Sequence, residues 1–352
     1  MVQFGISLTN NSFKLLNNIL YKNKNLIFKN VINLNTTKRR MSEYKQYLDE
    51  AIKIAKVAGK TIKDSFENRK FISDHLDIKQ NNSSDLVTAT DQYVEKMVKS
   101  HLNKVFPTHS FIGEETTAAN NNASCNLTDK PTWCIDPIDG TTNFVHGLPF
   151  ICISIGLLIK KEPVIGVIFN PILNDLYTAS KNGGAFLNDK PLPTIRPIQP
   201  LETLEKSLII TEYGANRSEE SIKAKLDTIH QIISYPVHGI RSFGSAALNM
   251  CYVARGSCDI YYEIGVHAWD ITAATCIVRE AGGVVVGWEP YKDVSEPEKT
   301  NEKEDIEIVN EKFDVLNRRV LCIRQLAEGP KKQNEILAEV RKRLINFEAK
   351  RD

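Results

Sequence analysis

The segment CIDPIDGTTNFVHG, residues 134–147, constrains the fold more than any other. The preceding TWCI is a short run of β-formers, so a strand is expected to lead into Asp136. Pro137 has no amide hydrogen to give a sheet ladder, which predicts that the strand stops there. Gly140 can turn the backbone sharply, and Thr141-Thr142 opens a helix whose first amides lack partners. Two carboxylates, Asp136 and Asp139, are thereby expected exposed at the mouth of a sheet, beside a helix start. Such a mouth suits a hard cation, because Mg²⁺ takes oxygen ligands and keeps waters that a substrate phosphate can replace. The amides of the helix start suit the phosphate itself. Taken alone, the same residues fit simple turn capping equally well.

Two further acidic clusters tilt that balance. FIGEET places Glu114 and Glu115 directly after a short apolar run, another strand end. HAWDITAA places Asp270 at a helix start, where an N-cap would account for it by itself. Three acidic groups at three element ends, each with apolar flanks, are hard to read as three independent caps. Carboxylates that converge repel one another unless cations neutralise them. Bound cations lower the pKa of a bound water and clamp the attacking and leaving oxygens of an in-line displacement. Glu114 and Thr141 can orient that water, and Asp91 can hold Thr141 by a hydrogen bond.

Bulk properties exclude several other classes. The 352 residues carry 45 basic and 43 acidic side chains, a formal charge of +2, which argues against a general nucleic-acid binder. No apolar run approaches the roughly 18 residues of a membrane span. The seven cysteines (125, 134, 152, 251, 258, 276, 322) are odd in number and lack paired metal-type spacing. They read as core residues of a protein in a reducing compartment, so a cytoplasmic location is expected. Residues 1–41 stand apart, with no acidic residue and a run of Lys38-Arg39-Arg40 before Met41. Organelle targeting by residues 1–40 is the weaker reading, since transit peptides favour Arg over Lys.

Periodicity supplies the rest of the framework. Tyr44, Tyr47, Leu48, Ala51, Ile54, Ala55, Ala58, Ile62 and Phe66 make one helical stripe, and helical spacing resumes after Asp91 until Pro107. β-like runs follow, among them ICISIGLLI, PVIGVIFNPI and DLYTAS. Later helices are expected over SEESIKAKLDTIHQII, over GSAALNMCYVARG, from Asp270 to Gly282-Gly283, and over about 331–348. Without a regular βαβ alternation the class is α+β, with helices sandwiched between sheets in one domain spanning 42–350. Residues 289–311, charged and aperiodic, read as a surface insertion.

Taken together, SSDLVTATDQYVEKM, HSFIGEE, PTWCIDPIDGTTNFVHGLPF, GSAALNMCYVARG, YYEIGVHAWD and EAGGVV resemble the inositol monophosphatases. These are Mg²⁺-dependent, lithium-sensitive phosphatases of the superfamily that includes fructose bisphosphatase. The resemblance covers about residues 42–345 and implies a layered α/β/α/β/α sandwich and a homodimer. It also implies hydrolysis of myo-inositol monophosphate, in inositol metabolism and phosphatidylinositol signalling, with two to three Mg²⁺ per site. One ion is implied on Glu114, Asp136 and the carbonyl of Ile138, a second on Asp136, Asp139 and Asp270, and a weaker third again on Glu114. Thr141 with Asp91 matches the water-activating pair, and Gly140-Thr141 the phosphate cradle. Gly244, Ser245, Ala246 and Glu263, with Asp139 and Asp270, match the substrate contacts. Lys79 stands near a basic residue of the family's mobile loop, with a loop one residue longer before Asp85. Ala268 replaces a frequent Cys, and neither the leader nor 289–311 belongs to the pattern.

Rival readings share much of this chemistry. A related Mg²⁺ phosphatase for a sugar phosphate or histidinol phosphate would keep the same fold; Glu263 and the GSA turn favour inositol. An aspartyl-phosphate phosphatase needs D-x-D-G-T, whereas D-x-x-D-G-T is one residue too long, so covalent catalysis is rejected. A catalytically silent metal-binding subunit is disfavoured because every ligand type is present.

Overall fold

The apolar stripe from Tyr47 to Phe66 forms helix α1, residues 44–67, which buries Ala51, Ile54, Ala55, Ala58, Ile62 and Phe66. The computed structural model describes residues 44–68, 76–78, 86–119, 127–195, 197–287, 313–347 and 349. The leader 1–41, Lys79 and the charged segment 289–311 lie outside them. The chain separates into two units, 1–46 and 47–352, and the architecture that follows is that of the second.

Strands β1 (Leu76–Ile78) and β2 (Leu86–Thr88) pair antiparallel, and helix α2 (Ala89–Val105) follows at once. The larger sheet has seven strands in sequence order: β3 (Ser110–Gly113), β4 (Thr132–Asp139), β5 (Cys152–Ile159), β6 (Glu162–Asn170), β7 (Asp175–Ser180), β8 (Gly184–Leu187) and β9 (Lys190–Pro191). Only the β3–β4 pair is parallel. Two short helices, α3 (Glu114–Ala119) and α4 (Thr141–His146), leave β3 and β4 at that end of the sheet. The smaller sheet runs β11 (Gly239–Arg241), β10 (Leu208–Thr211), β12 (Ile260–Ile264), β14 (Arg319–Ile323), β13 (Val284–Val286).

Helices α6 (Ala246–Ala254) and α7 (Ala268–Glu280) fill the space between the sheets. α7 lies across β4 to β8, and α6 packs on α7, β12 and β14. α6 is buried at nearly every position, which is why its sequence is apolar all round. Outside the smaller sheet, α8 (Pro330–Arg341) buries Ile336, Leu337 and Val340, and α5 (Glu219–Ile233) buries Ile232, in one cluster with Leu321 and Ile323. α1 covers the other face of the larger sheet, where Gly59 lies against the Phe169 ring of β6. The layers are therefore α/β/α/β/α.

The close seat of α7 on the sheet depends on glycines at its crossing. A Cβ at Gly166 of β6 would stand 2.2 Å from the carbonyl oxygen of Ala273. Backbone on backbone cannot yield as a side-chain tip can, so Gly166→Ala is expected to cost about 1–3 kcal/mol. A melting point lowered by about 5 °C, read by calorimetry, is the expected result; an unchanged one would mean that the layers slide freely.

Two expectations need correction. Strand β4 does not stop at Asp136 but runs through Pro137 to Asp139. Its pairing shifts there: Asp136 lies opposite Ser154, and Asp139 opposite Cys152. Three steps on β4 match two on β5, a bulge that takes up Pro137 without asking it for a ladder bond. The final helix ends at Arg341, not near 348. Leu344 and Phe347 are buried beyond it, and the Ile345 amide donates to the Thr228 hydroxyl of α5 at 2.8 Å, so tertiary contacts outweigh helical propensity there.

Candidate active site

The bulge sets the side of the sheet on which the two aspartates emerge. Residues three apart on a regular strand point to opposite faces; one extra residue returns them to the same face. Ser154, opposite Asp136, donates to the Trp269 carbonyl of α7 at 3.1 Å. Cys152, opposite Asp139, has its sulfur 3.8 Å from the Ser245 hydroxyl at the start of α6. Both carboxylates consequently turn into the helical layer, and both are buried rather than exposed.

Each is then met by a different element. Asp139 Oδ2 accepts from the Ser245 hydroxyl and from the Ala247 amide, each at 2.6 Å, so it holds the first turn of α6. Asp270 is the third residue of α7, not its N-cap, and its Oδ2 accepts the His267 amide at 2.7 Å in a capping box. Glu114 is the first residue of α3. Thr141 opens α4 after Gly140, whose φ of 93° belongs to the left-handed region that favours glycine. The Thr141 hydroxyl lies 3.3 Å from Asp91 Oδ1 and 3.0 Å from the Ile138 carbonyl, and it can donate to either. Asp91 is 1% exposed, on α2.

Electrostatics mark this cluster as short of positive charge. Burial first, then the charges of Glu114, Asp139, Asp270 and Asp91, push the Asp136 carboxyl well above its usual range. Asp139 is pushed up to about 7 by burial, although the Ser245 hydroxyl and Ala247 amide work against the shift. Asp270 is raised by burial and by Asp139, against the His267 amide. Asp136 Oδ1 is buried with no hydrogen-bond partner among the described residues. A buried acceptor without a partner is costly unless something else satisfies it.

Among the described residues no three His, Cys, Asp or Glu side chains stand, as placed, where together they could hold a metal ion. The carboxylates are nevertheless all oxygen ligands, crowded with negative charge, and one of their oxygens lacks a donor, which fits a hard divalent cation and not a soft one.

The residues that the resemblance matches to substrate contacts lie on β12 and at the start of α6. Glu263 of β12 accepts from the Tyr261 hydroxyl, and burial together with Glu212 pushes it up to about 8. Gly244, Ser245 and Ala246 lie just before and at the start of α6. Two residues that the sequence reading did not single out hold that turn. Glu212 Oε1 accepts the amides of Phe243 and Gly244 at 2.7 and 2.8 Å and the Asn249 side chain at 2.8 Å. Asn143 of α4 donates to the Phe243 and Phe150 carbonyls at 2.6 and 2.9 Å. Glu212 follows the strand LIIT as Glu114 follows SFIG, so the signal of an acid at a strand end was there.

Comparison with known proteins bears on the same elements. The sequence model of the inositol monophosphatase family matches residues 43–345. The chain belongs to the inositol monophosphatase family. Inositol monophosphatase 1 of Bos taurus is 39% identical over 296 residues, 84% of this chain and 96% of that protein. Inositol monophosphatase 2 of Solanum lycopersicum is 47% identical over 244 residues, 68% of this chain and 87% of that one. The inositol monophosphatase structure from Anabaena superposes with a TM-score of 0.62 at 26% identity, covering 84% of this chain and 97% of its own. The SuhB structure from Bartonella henselae gives 0.65 at 26% identity, covering 84% and 99%. This is a metal-dependent phosphatase family, consistent with an oxygen-only cluster short of positive charge. Among the described residues no helix is long and apolar enough to cross a membrane.

Proposed function

We propose that this inositol monophosphatase family member hydrolyses a myo-inositol monophosphate to myo-inositol and phosphate. The observation that carries the site assignment is the β4 bulge, which turns Asp136 and Asp139 to one side with an Asp136 oxygen left without a partner. Glu114, Asp136, the Ile138 carbonyl, Asp139 and Asp270 would hold two to three Mg²⁺. When bound, the ions supply neutralising charge and a water of lowered pKa.

The chain's own groups do the rest. Asp91 takes the Thr141 hydroxyl proton in a hydrogen bond, which leaves a Thr141 lone pair to hold the attacking water. Gly140 and Thr141 offer backbone amides to the phosphate. The water oxygen forms a new P–O bond as the ester P–O bond breaks in line; the attacking water gives up one proton to solvent, and the departing ring oxygen takes one up from solvent. Asp139, by gripping Ser245 and Ala247, keeps the 244–246 turn beside the ring, and Glu263 accepts from ring hydroxyls. The protein is taken to act as a homodimer, by the same resemblance. A cytoplasmic location accords with the six free, buried cysteines among the described residues.

Phosphate release by the full chain is the test, with inositol 1-phosphate, sugar phosphates and histidinol phosphate, with and without Mg²⁺ and Li⁺. Mg²⁺-dependent release that favours inositol phosphate and is inhibited uncompetitively by Li⁺ is expected. Preference for another phosphate would move the substrate and keep the site; no turnover of any would favour the silent subunit.

A further inference from the structure

Helix α2 carries two carboxylates one turn apart, Asp91 and Glu95, 1% and 3% exposed. The mechanism above uses Asp91 and leaves Glu95 without a role. Yet Glu95 reaches the same site from the same helix. Its Oε2 accepts the Glu115 amide at 2.7 Å, and its Oε1 accepts the Thr116 amide at 2.9 Å and the Thr116 hydroxyl. These are first-turn amides of α3, which an isolated helix leaves unsatisfied. An anion there is also favoured by the helix dipole.

Packing does not do this job. α3 is six residues long and none of its side chains is fully buried. A helix that short is not stable by itself, so what fixes its first turn must come from outside. Glu95 approaches so closely that a Cβ on Gly113, the residue before α3, would stand 2.6 Å from its carboxyl carbon. The carboxylate therefore seats directly on the backbone that delivers Glu114.

We propose that Glu95 is a positioning residue that fixes the first turn of α3 and so sets where the Glu114 carboxylate stands for metal binding. It rests on the reading of Glu114 as a ligand. Through one rigid helix, Asp91 then orients Thr141 while Glu95 orients Glu114, and the water-holding and metal-holding sides share a single frame. Supporting groups of this kind commonly change metal affinity about 10–100-fold when replaced.

A carboxylate is needed because both oxygens accept. Gln at 95 keeps the size but has one acceptor oxygen, and its NH₂ faces an amide donor. Binding of Mn²⁺, a probe that takes oxygen ligands as Mg²⁺ does, is measured by the electron paramagnetic resonance of the free ion with the full chain. Wild type is expected to bind and Asp136→Asn to lose that binding. Glu95→Gln is expected to raise the Kd about tenfold with an unchanged far-ultraviolet circular dichroism spectrum. If Glu95→Gln does not fold, Thr116→Val decides. It removes one of the three contacts and is expected to weaken binding about threefold. Wild-type Mn²⁺ affinity in a folded Glu95→Gln overturns the proposal even if its melting point falls, because that is the mark of a merely structural role; so does wild-type affinity in Thr116→Val when it has to decide. If Asp136→Asn binds as wild type does, the site assignment itself fails and this proposal with it.

Discussion

Replacing Asp136 by Asn is expected to lower turnover of inositol phosphate at least about a thousandfold while leaving the fold intact. Asp136 is implied in both main metal positions, so its loss touches both at once, and about 4 kcal/mol of lost transition-state stabilisation gives that factor. The substitution removes charge without volume, so the packing of β4 against α7 has no reason to change. Asp136 Oδ1 has no partner to lose. The substitution also removes a carboxyl that burial and the charges of Glu114, Asp139, Asp270 and Asp91 push up, and with it the cost, above about pH 4, of holding that group in the fold. The metal-free variant is therefore expected to melt at or above the wild-type temperature at pH 8. Steady-state kinetics with calorimetry on one preparation would check both halves. Most of the activity surviving would sink the bridging role; a large drop in melting point would show that Asp136 is structural.

The second large effect is on the pH dependence of the metal-free protein. Asp139 is raised to about 7 and Glu263 to about 8, and Asp136 and Asp270 are raised as well, chiefly by burial. In the unfolded chain these groups titrate near 4. Between about pH 4 and 8 the folded state thus holds more protons than the unfolded state, and stability falls as pH rises. From pH 6.5 to 8.5 ordinary carboxylates are already ionised; burial lowers His109, which opposes the trend near pH 6.5, and raises buried thiols such as Cys152 and Cys251, which adds to it near pH 8.5. Stability is expected to drop by at least about 2 kcal/mol across that window, or about 5 °C in melting point. Mg²⁺ should restore it, more at pH 8.5 than at 6.5, because the ion competes with protons for the same oxygens. A flat profile without metal, or equal protection by Mg²⁺ at both pH values, would contradict a cluster short of positive charge.

How far the site could be read in advance differs from residue to residue. The acidic positions were legible because an acid after an apolar run at an element end is unusual chemistry, and the full constellation matched a known family. Glu95 was legible in principle from its spacing to Asp91, since positions one turn apart share a helix face. It was missed because its partner, the first turn of α3, is 20 residues away and the pairing leaves no local pattern. Asn143 was missed for the same reason, as its partner is a backbone group 100 residues on; Glu212 carried the strand-end signal, but the turn it holds lies 31 residues away.

By itself the sequence determined the types of element, the apolar faces and the family, because these depend on local periodicity and on residue identity. Only the tertiary structure decided which way the carboxylates point. Pro137 read locally as a strand end, but pairing with β5 carried β4 past it through a bulge, and side-chain direction in a strand follows from register with a neighbour. Burial, and with it the raised carboxylates, arose only when α6 and α7 closed over that face. A charge is costly only once water has been taken from it, and no single segment can remove the water alone.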